Sequence, residues 1–421
     1  MKYSGVKWIG EIPDNWKLNK IGQLFNLRNE KVSDKDYSPL SVSKGGVVTQ
    51  MENVAKSDAS DDRKLVLKGD FAINSRSDRK MSCGVSPLDG SVSLINTILY
   101  PKNDAVIYND YMNYLLKNYG FAEEFYRWGH GIVADLWTTK WQEMKSIMLP
   151  LPSVQKQKAI YDFLNQKNAE IDSLIEIENQ QIEKLKEYVE SSIYEYLKKE
   201  LGVSINDMSI ESRTPMKKIG ALSNLVTKQT GFDYSNTIKP TMLDNPNEDS
   251  LPYLQTRNFK NNYFNLNTEF YVPKSTWEQF PKLILDDETL LFSIVGASIG
   301  NVAIFPKSEK AFLGGAICRV NLVDKEYALF IKEIMLSKFG QEQINRKINS
   351  NAQGTITVQN VRDFLIPMPS KKDAVRIGRK CESMRKEVDD LIAIKEKKID
   401  ELTEYKKSLI YEYVTGKKEV C

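Results

Sequence analysis

The sequence predicts an α+β protein: two mixed α/β heads related by an internal duplication with a pseudo-twofold axis, separated by two long antiparallel helices that pair as a coiled coil. Two observations carry most of this. LPLPS at 149–153 is matched by IPMPS at 366–370, an offset of 217 residues that continues without a gap to identical IYEY strings at 193–196 and 410–413. KIGQLFNL at 20–27 is matched by KIGALSNL at 218–225 at an offset of 198, so the second copy holds 19 more residues between its matching blocks. A period of this size lies far beyond the roughly 20–50 residues of a solenoid repeat. The chain therefore reads as one unit duplicated in tandem.

The elements follow in order. In the first head, residues 1–152, KLVLKGDFAINS at 64–75 and SVSLINTILY at 91–100 read as strands around Gly and Ser turns, and 109–127 reads as a helix. Residues 153–201 form the first long helix. Apolar positions recur at Ile160, Leu164, Ile171, Leu174, Ile175, Ile182, Leu185, Val189, Ile193 and Leu197, with Lys, Glu and Gln on the other faces. The second head, 202–369, repeats the pattern with strands within 282–306 and 311–323 and a helix over 326–348. The second long helix, 370–421, carries its stripe on Ile377, Cys381, Met384, Val388, Leu391, Ile392, Ile399, Leu402, Leu409 and Tyr413. Both lack an interior proline, and Ser153 and Ser370 stand where N-caps belong. A helix over 153–197 spans roughly 65 Å at about 1.5 Å per residue, more than an ordinary domain core covers. The duplication supplies a partner of matching stripe. The alternative is two helices that each pack on their own head.

Composition narrows the function. The 421 residues carry 59 Lys and Arg against 56 Asp and Glu, a net charge of +3, with 41% hydrophobic and 27% charged residues. No apolar run approaches the roughly 18 residues of a membrane span, and the N-terminal residues do not read as a secretory signal, so a cytoplasmic setting away from membranes is expected. Cys83, Cys318, Cys381 and Cys421 form no CxxC pair, and the lone His130 excludes HExxH and two-histidine metal sets. No Walker-type, GxGxxG or NPPY-like loop is present. Gly296 and Gly300 fit a tight turn as well as a phosphate loop, and Asp286, Asp287 and Glu288 fit a solvated turn as well as a metal cluster. No catalytic residue and no metal is assigned, and no cofactor is expected on this chain.

A nucleic-acid interface is the better fit, carried by patches. Residues 1–152 hold 20 basic and 18 acidic residues and 202–369 hold 18 and 17, without the basic excess of a nonspecific binder. Four segments mix cations with side chains able to read base edges: NSRSDRK at 74–80, RWGH at 127–130, QTRNFKNN at 255–262 and NRKINSN at 345–351. The DNA-binding candidates are Ser75, Arg76, Arg79, Lys80, Arg127, His130, Arg257, Asn258, Lys260, Ser298, Arg346 and Lys347. Each also fits a polar surface loop.

The opening YSGVKWIGEIPDNWKLNKIG, the LPLPS and IPMPS blocks that each close a head and open a long helix, and the Gly69-Asp70 turn before a strand resemble the specificity subunits of type I restriction-modification systems. The resemblance covers essentially the whole chain. Departing from the family's usual Glu-Gln after the Pro-rich turn, Gln155, Lys156 and Gln157 follow the first copy and Lys371, Lys372 and Asp373 the second. The resemblance implies a non-catalytic reader of double-stranded DNA. Each head would be a target recognition domain for one half of a split, asymmetric site, and the helices would be spacer and dock for a pair of modification subunits. Those subunits methylate adenine with S-adenosylmethionine, and restriction subunits join them, so ATP and Mg belong to the partners. Tyr188, Tyr194, Tyr405 and Tyr411 on the helices are the partner-binding candidates, packing being the alternative for each. Two other classes remain open. A coiled-coil scaffold would not need two divergent heads, and a DNA enzyme would methylate alone when given S-adenosylmethionine.

Overall fold

The computed structural model describes residues 1–50, 62–131, 137–205, 209–260, 263–348 and 354–420. Cys421 therefore lies outside the described residues. Contacts divide the chain into Met1–Glu178 with Lys397–Cys421 (unit 1) and Asn179–Glu396 (unit 2), so each long helix is shared between the units instead of forming a segment of its own.

In unit 1, β1 (Phe25–Arg28), β2 (Phe71–Asn74), β3 (Cys83–Val85) and β4 (Asn96–Pro101) form an antiparallel sheet in the order β3-β2-β4-β1. Its buried face sets Phe25, Phe71, Ile73 and Leu99 against Tyr111, Met112, Leu115, Phe121 and Phe125. The stretch 109–127, predicted as one helix, is broken into Met112–Leu115 and α1 (Tyr119–Arg127). Asn118 breaks it: its Oδ1 accepts from the Phe121 N–H at 2.9 Å and its Nδ2 donates to the Leu115 carbonyl at 2.8 Å, so one side chain ends a helix and caps the next. The long helix α2 runs Val154–Leu201.

In unit 2 the sheet of β5 (Ser223–Lys228), β7 (Thr289–Ser293), β8 (Val302–Phe305) and β10 (Ile317–Leu322) has the matching order β8-β7-β10-β5. A second sheet joins β6 (Leu251–Leu254) in parallel to β9 (Ala311–Leu313) over a core that includes Leu254, Leu285, Phe305 and Phe312. The helix predicted over 326–348 is again two, α3 (Ala328–Leu336) and α4 (Lys338–Asn345), parted at Ser337, whose hydroxyl donates to the Ile334 carbonyl at 2.7 Å. The long helix α5 runs Lys371–Val414. It stops short of residue 421 because the chain folds back: Thr415 donates to the Tyr411 carbonyl at 2.7 Å, and Lys417 Nζ donates to the carbonyls of Ile9 and Glu11 at 2.9 and 2.7 Å.

The Ser N-caps are present, with Ser153 Oγ accepting from the Lys156 N–H and Ser370 Oγ from the Asp373 N–H. Within each unit α2 and α5 pair antiparallel. In unit 1, Lys398 meets Glu178 and Lys406 meets Asp172, each at 2.6 Å; in unit 2, Arg376 meets Glu200 and Arg385 meets Glu190, each at 2.6 Å. One set of numbers falls as the other rises. The covered positions of α2, Leu164, Asn168, Ile171, Ile175, Glu178, Ile182, Leu185 and Val189, alternate steps of four and three, which is the heptad of a coiled coil. Leu174 and Leu391 do not belong to the stripe as predicted; at 45% and 48% exposure they lie off the seam.

Candidate nucleic-acid interface

In unit 1 the chain leaves β2 and turns through Ser77–Arg79, a single 3-10 turn. Arg76 and His130 both form bridges to Thr138, and the Ser77 N–H donates to the Trp137 carbonyl at 2.8 Å. The segments 74–80 and 127–130, far apart in sequence, therefore meet at one edge. The cations there are restrained by acids. Asp78 lies 3.5 Å from both Arg76 Nε and Arg79 Nε, and Lys80 pairs with Glu123 at 2.8 Å. Arg127 makes a two-pronged contact to Glu124 at 2.9 and 2.7 Å, which raises the guanidinium above its ordinary pKa. The pairs with Asp78 and Glu123 are exposed and worth about 0–1 kcal/mol, so a phosphate or a base edge competes for Arg76, Arg79 and Lys80 at small cost, whereas Arg127 is tied to a carboxylate that is 7% exposed.

Unit 2 repeats the edge with different side chains. Val295 bridges Thr355 as Arg76 bridges Thr138, with the same 217-residue spacing between the two threonines. After β7 the chain turns through Gly296–Ser298, where unit 1 has Ser77, Asp78 and Arg79. Arg346 pairs with Glu342 at 2.9 Å and Arg257 with Glu269 at 2.9 Å, while Lys347 is exposed. The Lys260 side chain and residues 261, 262 and 349–351 of the predicted segments lie outside the described residues.

Three of the DNA-binding candidates are occupied structurally. Ser75 is 3% exposed, its hydroxyl bonded to that of Thr97 at 2.9 Å and its carbonyl accepting from the Thr139 N–H. Asn258 is 1% exposed and uses its whole amide locally, accepting from Gln255 and donating to the carbonyls of Asn265 and Asn267. The Ser298 hydroxyl is shared with Ser293 at 2.7 Å. Two partner-binding candidates are also packing residues. Tyr411 donates to the Trp8 carbonyl at 2.7 Å, and Lys338 Nζ lies 5.6 Å from the centre of the half-buried Tyr194 ring. Tyr188 and Tyr405 are exposed.

Sequence reasoning named Tyr188 and Tyr405 but missed the exposed leucines and isoleucines of the paired helices. Leu174, Ile177 and Tyr405 in unit 1 correspond at the 217-residue offset to Leu391, Ile394 and Tyr188 in unit 2, and all six are exposed. The offset itself was the available signal, since apolar identity at surface positions of both copies is not needed by the seam. The threonine bridge was missed too, although Thr138 and Thr355 share that offset.

The heads also place a cation on the sheet differently. In unit 1, Arg28 on β1 forms a two-pronged pair with Asp70, at 2.5 and 3.1 Å, and that hydrogen bonding raises its pKa. In unit 2 the register puts Thr227 at the place of Arg28, and a buried cation, Arg319, stands on the neighbouring strand β10. Burial lowers the Arg319 pKa, and Asn321 and the Lys282 carbonyl receive its N–H groups.

Among the described residues no helix is long and apolar enough to cross a membrane, and no group of three or more His, Cys, Asp and Glu is placed to hold a metal ion.

Comparison with known proteins bears on the whole chain. The family model described as the type I restriction modification DNA specificity domain matches residues 225–404. The specificity subunit described for the type I restriction enzyme MjaX of Methanocaldococcus jannaschii is 23% identical over 97% of this chain and 95% of its own length. The MjaVIII specificity subunit of the same organism is 22% identical over 65% of this chain and 62% of its own. A chain solved in a study of complex assembly and conformational transition of the type I R-M system shares the fold, with a TM-score of 0.68 at 11% identity over 96% of this chain and 98% of that one.

Proposed function

We propose that this chain, which belongs to the specificity subunits of type I restriction-modification systems, reads a bipartite, asymmetric double-stranded DNA target with one half-site per head. The observation that carries this reading is the duplicated edge. In both units the segment after the matching strand bridges an equivalent threonine, Arg76 to Thr138 and Val295 to Thr355, and in unit 1 that threonine also bridges His130, so the two units present different side chains there. Two copies of one scaffold with divergent contact residues suit two different half-sites. Near-neutral heads with acid-restrained arginines suit selective binding, because bulk charge would hold any sequence.

The chemistry is assigned to partners. A pair of modification subunits would supply S-adenosylmethionine-dependent adenine methylation, and restriction subunits ATP- and Mg-dependent cleavage, with this chain contributing no catalytic group. The duplicated exposed trio, Leu174, Ile177 and Tyr405 with Leu391, Ile394 and Tyr188, offers each modification subunit an equivalent apolar dock.

Exchange of residues 20–149 for those of a relative, followed by sequencing of the methylated sites, tests this. One half-site changes and the other stays. A change in both, or in neither, refutes one half-site per head. Adding one turn to each long helix, within 179–182 and 396–399, is expected to alter only the number of base pairs between the half-sites.

A further inference from the structure

Unit 2 contains a recess beside the end of β5. A cavity of about 440 Å³ is lined by the end of β5 and the turn after it (Lys228, Gln229, Thr230), by Tyr234 and Tyr253, and by the Gly314–Gly315–Ala316 bend that leads into β10. That volume falls within the roughly 300–1,000 Å³ of small-molecule sites. Gln229 is 2% exposed. Its Oε1 accepts from the Tyr253 hydroxyl at 2.8 Å, and that hydroxyl itself accepts the Gly315 N–H, which fixes the direction of the chain of hydrogen bonds. Burial pushes the Tyr253 phenol up to about 12, so it stays neutral and keeps donating. Among the described residues Gln229 Nε2 is left buried with no partner in the wall of the recess.

An unpaired buried amide of this kind is costly, and its retention asks for an acceptor that the folded chain does not supply. The rest of the recess specifies the shape of that acceptor. Tyr253 is 4% exposed, its ring packed on both Tyr234 at 6.3 Å and Phe312 at 6.4 Å, so the half-buried Tyr234 is the aromatic face left for a flat ligand. The floor is backbone: a Cβ at Gly314 would fall 2.0 Å from the Leu254 carbonyl oxygen, and one at Gly315 would crowd Gln229 Oε1 at 3.1 Å. Lys228 at the rim is exposed, and no ion pair is found for it among the described residues. By strand register, unit 1 places exposed Glu30 where unit 2 has Gln229, and Ser93 and Leu94 where unit 2 has the two glycines.

We propose that this recess binds a single unstacked nucleobase. A carbonyl or ring-nitrogen acceptor of the base takes the Gln229 Nε2 N–H, the ring lies along Tyr234, and the attached phosphate meets Lys228. Aromatic stacking holds a base of any identity. The donor-only amide, its oxygen already engaged by Tyr253, favours the acceptor-rich edge of thymine or guanine. The base arrives either on a strand or as a free nucleotide, and the assignment does not depend on how the heads read duplex DNA.

The test uses the full chain, isothermal titration and thymidine 5′-monophosphate, with deoxyribose 5-phosphate as the baseless control. The monophosphate is expected to bind and the control not. Gln229→Met, which removes the donor together with the oxygen that accepts from Tyr253, at nearly constant volume, is expected to weaken binding at least about tenfold while hydrogen exchange of the β5 and β10 amides shows unit 2 still folded, and Gly315→Ala is expected to weaken it by crowding the floor. Competition by single-stranded (dT)8 would identify a base on a strand, and its failure against a binding mononucleotide would identify a free nucleotide; both support the recess. Absence of monophosphate binding at millimolar concentration, equal binding of the control, or an unchanged affinity in Gln229→Met overturns it. Such a result would leave the half-site reading, which is checked by methylated-site sequencing, standing.

Discussion

The charge cluster where α3, α2 and α5 meet in unit 2 makes a quantitative prediction because the duplication supplies its neutral counterpart. Arg385, 6% exposed, places Nε 3.0 Å from Glu333 Oε2 and Nη1 2.6 Å from Glu190 Oε1, and Glu333 is 1% exposed. Burial works against the Arg385 charge, but the attraction of Glu333 and Glu190 outweighs it and holds the pKa above the ordinary value. At the equivalent places unit 1 has Asn168 and Tyr114, joined by a neutral hydrogen bond of 3.2 Å. At 3 Å and an effective dielectric of about 20, the Arg385–Glu333 attraction is roughly 5 kcal/mol. Removing the guanidinium leaves Glu333 buried, and such losses run to about 3–5 kcal/mol. Lys332 Nζ, 3.1 Å from Glu333, offsets part of this, so Arg385→Asn is expected near the lower end, about 3 kcal/mol. Adding Glu333→Tyr recreates the unit 1 arrangement and is expected to recover all but about 1 kcal/mol, since a buried pair replaced as a pair is often nearly neutral. With two units a single melting midpoint is poorly defined, so the measurement is hydrogen exchange of the α3 and α5 amides. A loss below about 1 kcal/mol for the single variant, or a double variant no more protected than the single one, would refute the reasoning.

Other predictions follow from the edges, the dock and the turns. Alanine at Arg76 and Arg79 is expected to weaken binding of the assembled complex to its own target by about 1–3 kcal/mol if a base contact is lost, and by a smaller, salt-dependent amount if only phosphate is lost, as read by titration at several salt concentrations. Leu174→Glu combined with Leu391→Glu is expected to impair capture of the modification subunits in a pull-down while leaving the hydrogen-exchange protection of α2 and α5 within about 0.5 kcal/mol, because both residues are exposed. A large loss of stability instead would place them in the core. Met81 holds φ at 64°, and its equivalent in unit 2 is Gly300 at 94°. Met81→Gly is therefore expected to be neutral or stabilising by up to about 1 kcal/mol in denaturant melts, and Gly300→Met destabilising by more than that, since an added Cβ there would sit 2.5 Å from Gln341 Oε1.

Much of the fold was legible because its signals are periodic. The heptads of α2 and α5 and the IYEY match across 217 residues depend on spacing alone, and spacing survives divergence. The breaks at Asn118 and Ser337 were not legible, because apolar periodicity continues through 109–127 and 326–348 and only the direction of one side chain stops each helix. The candidate interface was half legible. Composition placed Arg76, Arg79, Arg127 and Arg346 in polar segments, and these are at the surface. It could not separate them from Ser75 and Asn258, whose polar atoms are consumed inside the fold by partners such as Thr97 and the Asn265 carbonyl. Nor could it show Gln229 beside Gly315, since that pairing exists only once β5 and β10 are in register.

The closure of unit 1 bears on the order in which the polypeptide matures. Trp8, Ile9, Ile12 and Trp16 share a core with Leu409 and Val414, and Lys417 reaches the Ile9 carbonyl, so residues from both termini are needed to complete that core. Unit 2 is one unbroken stretch, 179–396. A chain emerging from the ribosome can thus finish its second head before its first, inverting the usual N-terminal-first sequence. Until residues 397–421 arrive, the first head holds an unfilled apolar face, and a nascent product cut short near residue 396 would carry one mature head and one unfinished one.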